Sequence, residues 1–184
     1  MYAGHFAAGL ALKAKQPGAP TWAILLGVGF VDVLFGAFLV AGLEKASMTP
    51  GIAPGFRLDF VDWSHSLLMS LVWAALYAAC FLKRGKLIAA VCGFAVFSHF
   101  LLDFPMHPGD LALWPHSEAH VGLGIWTLLP RGWWAVELGF ILLCSAYYLA
   151  RAKTLKTFGG RAPIAVLVVL ILHVTNSPWL SPAH

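Results

Sequence analysis

A histidine and a carboxylate lie one helical turn apart in an otherwise apolar stretch of the chain. Residues 97–110 read FSHFLLDFPMHPGD, and the i, i+4 spacing of His99 and Asp103 places both side chains on one face of a helix. Imidazole and carboxylate groups bind zinc, and also manganese or iron. A metal held by such groups can lower the pKa of a bound water to about 7 and so supply a nucleophile at neutral pH. The stretch therefore suggests hydrolytic metal chemistry.

The composition makes this polar pair unusual. Of the 184 residues, 60% are hydrophobic and 11% are charged, whereas ordinary soluble proteins have about 25% charged residues. The mean hydropathy is +0.79. These values are typical of an integral membrane protein, in which an ionisable residue inside a span is costly and is therefore a functional candidate.

Five apolar segments approach the length of about 20 residues that a helix needs to cross a bilayer. They are 21–43, 64–82, 87–104, 132–150 and 163–180. A shorter helix is predicted over 2–14, before the helix-breaking sequence KQPGAP. We therefore predict an all-α membrane protein with a single domain over 1–184, a bundle of about five transmembrane helices plus a short N-terminal helix.

The basic residues predict the orientation of this bundle. Nine of the twelve Lys and Arg residues lie before the first span, between the second and third, or between the fourth and fifth. Five spans place these three regions on one side, which the positive-inside rule assigns to the cytoplasm. The loops 44–63 and 105–131 then face the outside, which is the periplasm if the membrane is a bacterial inner membrane. Because topology accounts for the net charge of +4, no nucleic-acid partner is predicted.

Three further ionisable residues, His5, Asp32 and His65, fall at depths that let them meet the first pair in the outer half of the membrane. Glycines on both sides of Asp32 favour close contact between helices. We therefore predict a divalent metal site, with zinc expected and manganese or iron as alternatives. The predicted ligands are His5, Asp32, His65, His99 and Asp103. The spacing leaves open whether they hold one metal with supporting carboxylates or two metals.

The outer loops and a later span supply other candidates. Asp59 and Asp62 are predicted to act as a general base or to orient the ligands. His107 and His116 are predicted to bind a phosphate or head group of the substrate. Glu137 has two interpretations, as a site residue or as the structural partner of a buried His or Arg.

Four short blocks follow one another along the chain: GHFAAGLALKAK (4–15), GVGFVDVLFG (27–36), DWSHSLL (62–68) and GFAVFSHFLLDFPMHPGDLALWP (93–115). In this order they resemble the YdjM/YbcI-like family of inner-membrane proteins, described as metal-dependent hydrolases. By position, the resemblance implies the same five metal ligands. It also implies, through a distant similarity to zinc-dependent phospholipase C and P1 nuclease, the cleavage of phosphoesters.

The chain departs from the family pattern at four positions. Val31 and Leu34 stand where the family has the Pro and the second carboxylate of a Pro-Asp-x-Asp block. Phe60 and Val61 stand where it has the His and Arg of a His-Arg-x-x-Thr-His-Ser block, and Asp59 and Asp62 lie beside them. Two ligands that the family would supply are therefore replaced by apolar residues.

Three functions are compatible with these patterns. The first is a membrane-embedded, metal-dependent hydrolase that cleaves an ester or phosphoester of a lipid or lipid-linked substrate at the outer side. The second is a non-catalytic accessory subunit of a larger membrane complex that binds lipid, a quinone or a pigment. The third is ligation of haem or (bacterio)chlorophyll by a membrane histidine, His99, His5 or His173.

Overall fold

The computed structural model describes residues 1–48, 56–155 and 161–179. This part of the chain is mostly helical, as predicted. Its α-helices are α1 (Tyr2–Lys15), α2 (Thr21–Val28), α3 (Phe30–Val40), α4 (Asp62–His65), α5 (Leu67–Ala79), α6 (Lys86–Met106), α7 (Ile125–Leu128), α8 (Gly132–Leu155) and α9 (Ala162–Thr175).

Fewer helices have spanning length than the five predicted. Within the described residues, α6 and the Gly132–Lys153 part of α8 are long and apolar enough to cross a bilayer. The pair α2 and α3 would make a third span, although it bends by 52° at its break. Helices α5 and α9 have 13 and 14 residues, about 20 Å of helix, against a hydrocarbon core of about 30 Å.

Local breaks explain why two predicted spans are not single helices. In 21–43 the helix is interrupted at Gly29. In 64–82 the backbone of Ser66 is extended and its hydroxyl accepts a hydrogen bond from the Met69 N–H, which caps the start of α5. Average hydropathy remains high across both breaks, so an apolar run alone does not reveal them.

The loops that were predicted between spans contain short strands. Strand β1 (Lys45–Met48) pairs antiparallel with β2 (Phe56–Phe60). Strand β3 (Leu111–Ala112) pairs antiparallel with β4 (His120–Val121). The mostly helical structure is consistent with the all-α prediction, and the two small sheets of the described residues lie in the segments predicted to face the outside.

Helix α6 packs against α1, α2 and α5. Its contact with α5 is close at Gly93, where a Cβ atom would lie 2.8 Å from the Ala74 carbonyl oxygen and 2.9 Å from Ala78 Cβ. On α2, a Cβ atom on Gly27 would lie 3.0 Å from Ala95 Cβ. Glycine thus permits the backbones to approach, as is common between membrane helices.

Helix α1 is buried on two faces. The residues Ala3, Ala7, Leu10 and Ala14 follow one helical stripe and pack on α8 and α9. His5 lies away from this stripe and faces α6. Packing against α8 and α9 therefore directs His5 towards the residues that α6 carries.

Candidate metal centre

The five predicted ligands meet where α1, α3, α4 and α6 converge. Among the residues that the structure describes, two groups of side chains could each hold a metal ion, because the ligand atoms of each group lie within 4.8 Å of one another. One group is His5, His99 and Asp103, and the other is Asp32, His65 and His99. His99 belongs to both groups, so the five residues form one continuous cluster.

Asp103 is the most heavily contacted member of this cluster. Its Oδ1 lies 3.1 Å from His5 Nε2 and 3.2 Å from the N-terminal ammonium of Met1, and its Oδ2 lies 3.1 Å from His99 Nε2. The side chain is only 4% exposed. A carboxylate so far from water requires such partners, since an unpaired buried charge is very costly.

The break between α2 and α3 orients His99. The Val28 carbonyl, at the last residue of α2, lies 2.8 Å from His99 Nδ1 and can only accept a hydrogen bond. The proton of the neutral ring therefore resides on Nδ1, which leaves the Nε2 lone pair facing Asp103 and Asp32, at 3.1 and 3.5 Å. This arrangement is characteristic of metal-binding histidines, whose second nitrogen usually donates to a carbonyl or carboxylate.

His65 is held in a similar way. Its Nδ1 lies 2.7 Å from the Ser64 hydroxyl, which in turn lies 2.8 Å from Glu44 Oε2. The opposite nitrogen, Nε2, faces Asp32 Oδ1 at 3.8 Å. Burial raises the pKa of Glu44, while hydrogen bonds from Ser64 oppose that shift.

His5 differs from the other two histidines. Its ring stacks on that of His99, and in the described part of the chain no group forms a hydrogen bond with its buried Nδ1. Its position depends on α1, whose first turn is fixed by Glu137: the Gly4 N–H donates to Glu137 Oε1 at 2.8 Å, and Glu137 Oε2 lies 3.5 Å from His173 Nδ1. Of the two interpretations of Glu137, the structure supports that of a partner for a buried histidine.

Asp32 is the solvent-exposed member of the cluster and forms its open side. It lies in the first turn of α3, and its side chain is 42% exposed, whereas the other four residues are buried. The neighbouring exposed residues of α3 are apolar, with Val33 at 58% and Val40 at 92% exposure. An approach to the cluster past Asp32 therefore runs along an apolar helix surface.

No family model, curated protein or solved structure matches this chain. The site must therefore be judged on its own chemistry. Three imidazoles and two carboxylates form a donor set suited to zinc, manganese or iron. Contacts at Nδ1 of His65 and His99 leave both Nε2 atoms facing Asp32. The residues present therefore fit a divalent metal.

His107 connects the cluster to a neighbouring pocket. Its Nε2 lies 3.9 Å from Asp103 Oδ2, and its Nδ1 lies 2.8 Å from Asp110 Oδ1. Asp110 lines a pocket of about 510 Å³ between the two small sheets, together with Asp59, Asp62, His116 and His120. The predicted substrate-binding residue His107 thus lies between the metal-ligand candidates and this pocket.

The other loop candidates lie in the pocket and in neither group of ligands. Asp62 Oδ2 accepts a hydrogen bond of 2.7 Å from the backbone N–H of His116, whose φ is positive at 61°. The His116 ring stacks on Phe60 and meets the edge of Trp63. Asp62 and Phe60 therefore shape the pocket wall, and Asp59 also lines the pocket.

Glu44 and Ser64 are supporting residues that the sequence analysis missed. Glu44 is the first residue after the apolar segment 21–43, and Ser64 directly precedes His65. Two weak signals in the sequence point to these residues. Glu44 is one of only eight acidic residues, and Ser64 places a hydroxyl, a common supporting group, beside a candidate ligand. Their contact joins residues twenty positions apart.

Proposed function

We propose that this protein is a membrane-embedded, metal-dependent hydrolase of the kind that the YdjM/YbcI-like resemblance implies. The observation that carries the proposal is the orientation of two histidines. The Val28 carbonyl and the Ser64 hydroxyl contact Nδ1 of His99 and His65, and both Nε2 atoms face Asp32, while that of His99 also faces Asp103. Buried histidines in a purely structural network need no such common direction.

The substrate class follows from the surroundings of the cluster. The half-exposed Asp32 adjoins an apolar helix face, and a polar pocket lies beyond His107. An amphiphile fits both environments, with its chain along α3 and its head group in the pocket. We propose a lipid or lipid-linked ester or phosphoester as the substrate.

Each group of candidate residues has its own proposed role. His5, Asp32, His65, His99 and Asp103 hold the divalent metal, with zinc expected. When bound, this metal would lower the pKa of water to about 7 and polarise the ester or phosphoryl oxygen. His107 and His116 contact the head group. Asp59 and Asp62 hold and orient groups in the pocket, and either carboxylate can accept a proton there.

The proposed setting is a bacterial inner membrane, with the pocket on the periplasmic side. The two helices of spanning length support a membrane location. The short apolar helices α5 and α9 would complete the five-helix bundle by entering the bilayer beside them. The basic segments support the orientation.

Metal analysis of the purified protein tests the proposal. Gentle extraction should yield roughly stoichiometric zinc, manganese or iron, and the metal-loaded protein should hydrolyse a short-chain lipid ester or lipid phosphoester. His99→Ala should lose both metal and activity, whereas His120→Ala, which removes an exposed imidazole outside the cluster, should retain the metal. A protein that takes up no metal, or an active His99→Ala variant, would overturn the proposal.

A second candidate is the non-catalytic accessory subunit. Phe60 and Val61, at two positions where the family pattern has polar residues, pack in the structure: Phe60 stacks on His116 and Val61 is 2% exposed. A reduced ligand set favours a protein that binds without turnover. Stable co-purification with larger membrane subunits, together with metal binding but no hydrolysis, would identify this role.

A further inference from the structure

Glu44 lies outside both candidate ligand groups, yet it is the origin of a hydrogen-bonded chain that ends in one of them. It immediately precedes β1 and is 2% exposed, and Ser64 is fully buried. Glu44 Oε1 accepts the Ser64 backbone N–H at 2.7 Å, and the two carboxylate oxygens lie 2.9 and 2.8 Å from the Ser64 hydroxyl oxygen.

Proton counting gives this chain a direction. An ionised carboxylate can only accept hydrogen bonds, and a serine hydroxyl has one proton to donate. When Ser64 donates that proton to Glu44, its oxygen can only accept from His65 Nδ1, 2.7 Å away. The neutral His65 ring then carries its proton on Nδ1, and the Nε2 lone pair faces Asp32.

We propose that Glu44 is a positioning residue of the metal centre, which acts through Ser64 to fix His65 in the tautomer that leaves Nε2 free to bind metal. The consequence for binding rests on the proposed metal centre. The tautomer is a property of the protein before metal is added. Because Glu44 adjoins β1, the same series of hydrogen bonds connects the paired strands β1 and β2 to His65.

Glu44→Gln is a near-isosteric test. The glutamine amide presents a donor to the Ser64 hydroxyl, so Ser64 can turn its own proton towards His65 Nδ1 and the ring proton moves to Nε2. The variant should bind zinc about 10–100-fold more weakly, as is typical when a group that supports a metal ligand is lost. Ser64→Ala should cause a similar loss of zinc affinity. The double variant should lose little more, since both changes interrupt the same path of hydrogen bonds.

Glu118→Gln, which alters an exposed carboxylate, is the control and should bind zinc as the wild type does.

A ¹⁵N NMR measurement of the His65 tautomer tests the role of Glu44 independently of metal binding. In metal-free, ¹⁵N-histidine-labelled protein, His65, assigned with His65→Ala, should be protonated on Nδ1, and Glu44→Gln should shift the proton to Nε2. Wild-type protonation on Nε2, or an unchanged tautomer and zinc affinity in Glu44→Gln, would overturn the inference. If the wild type bound no metal, the proposed function would fail, while the His65 tautomer would still decide the role of Glu44.

Discussion

The rings of His5 and His99 stack with their centroids 3.8 Å apart and an interplanar angle of 9°. The stack places one Nε2 atom at each oxygen of Asp103, both at 3.1 Å. Two imidazolium rings at this separation would repel strongly in a buried site. At least one ring is therefore favoured in its neutral form, which is the form that binds metal.

Asp103→Asn should abolish stoichiometric metal binding. The change keeps the shape of the side chain but removes the charge and turns an amide donor towards the stacked histidines. Because Asp103 contacts both histidines directly, we expect an affinity loss above about 100-fold, more than for a supporting group. Metal titration and mass spectrometry would measure it. Asp110→Asn, in the neighbouring pocket, should keep the metal, and equal losses in both variants would contradict the assignment.

Metal addition should raise the thermal stability of the protein and chelation should lower it. A ligand that binds only the folded state at 100 times its Kd stabilises by about 2.7 kcal/mol. For a chain of this size that corresponds to an increase in Tm of about 5–10 °C. Thermal scans of metal-loaded and chelator-treated protein would show it. The difference should vanish in His99→Ala, and a difference that persisted there would place the metal elsewhere.

Gly93→Ala should separate α5 from α6. A Cβ atom at this position would lie 2.8 Å from the Ala74 carbonyl oxygen, and overpacking of this kind costs about 1–3 kcal/mol. Gly36→Ala is the matched control, because a Cβ atom added there would meet no atom of the described residues within 4 Å and alanine is the better helix former. Thermal unfolding should show a lower Tm for Gly93→Ala alone. Equal values for the two variants would contradict the close packing.

Glu137→Ala should weaken both the fold and the metal centre. It leaves the buried Gly4 N–H without its acceptor and removes the carboxylate beside His173. A stranded buried donor costs about 1–3 kcal/mol, and the start of α1 would be left with the contact of the Met1 ammonium with Asp103. Unfolding measurements should show this loss, and titration should show weaker zinc binding because α1 carries His5. Glu118→Ala, at an exposed position, should leave zinc affinity unchanged and alter the free energy of unfolding by no more than about 0.5 kcal/mol.

The convergence of the candidate site could be anticipated because its residues are rare types in an apolar background. His99 and Asp103 share a helix face by spacing alone, and His5, Asp32 and His65 stood out by depth. The structure brings these residues together. Their supporting contacts were not predictable in the same way, because the Val28 carbonyl becomes an acceptor only where the helix breaks.

The helix lengths were harder to predict than their existence. A hydropathy average over 64–82 does not register that Ser66 adopts an extended conformation and starts a new helix there. The same average treats 21–43 as one segment, although the chain turns at Gly29. Both interruptions adjoin residues that orient or supply a candidate ligand, Val28 and His65. Local breaks in membrane helices are commonly associated with binding sites.

The open side of the cluster, at Asp32, has a practical consequence for purified material. In the proposed membrane setting, detergent that replaces the bilayer will cover the exposed apolar residues of α3. A detergent molecule that lies along α3 can then bring its head group beside the half-exposed Asp32. A phosphocholine or carboxylate detergent is in that case a competitor of the substrate and a potential chelator, whereas a maltoside is neither. Measured affinities will therefore depend on the chemical class of the detergent.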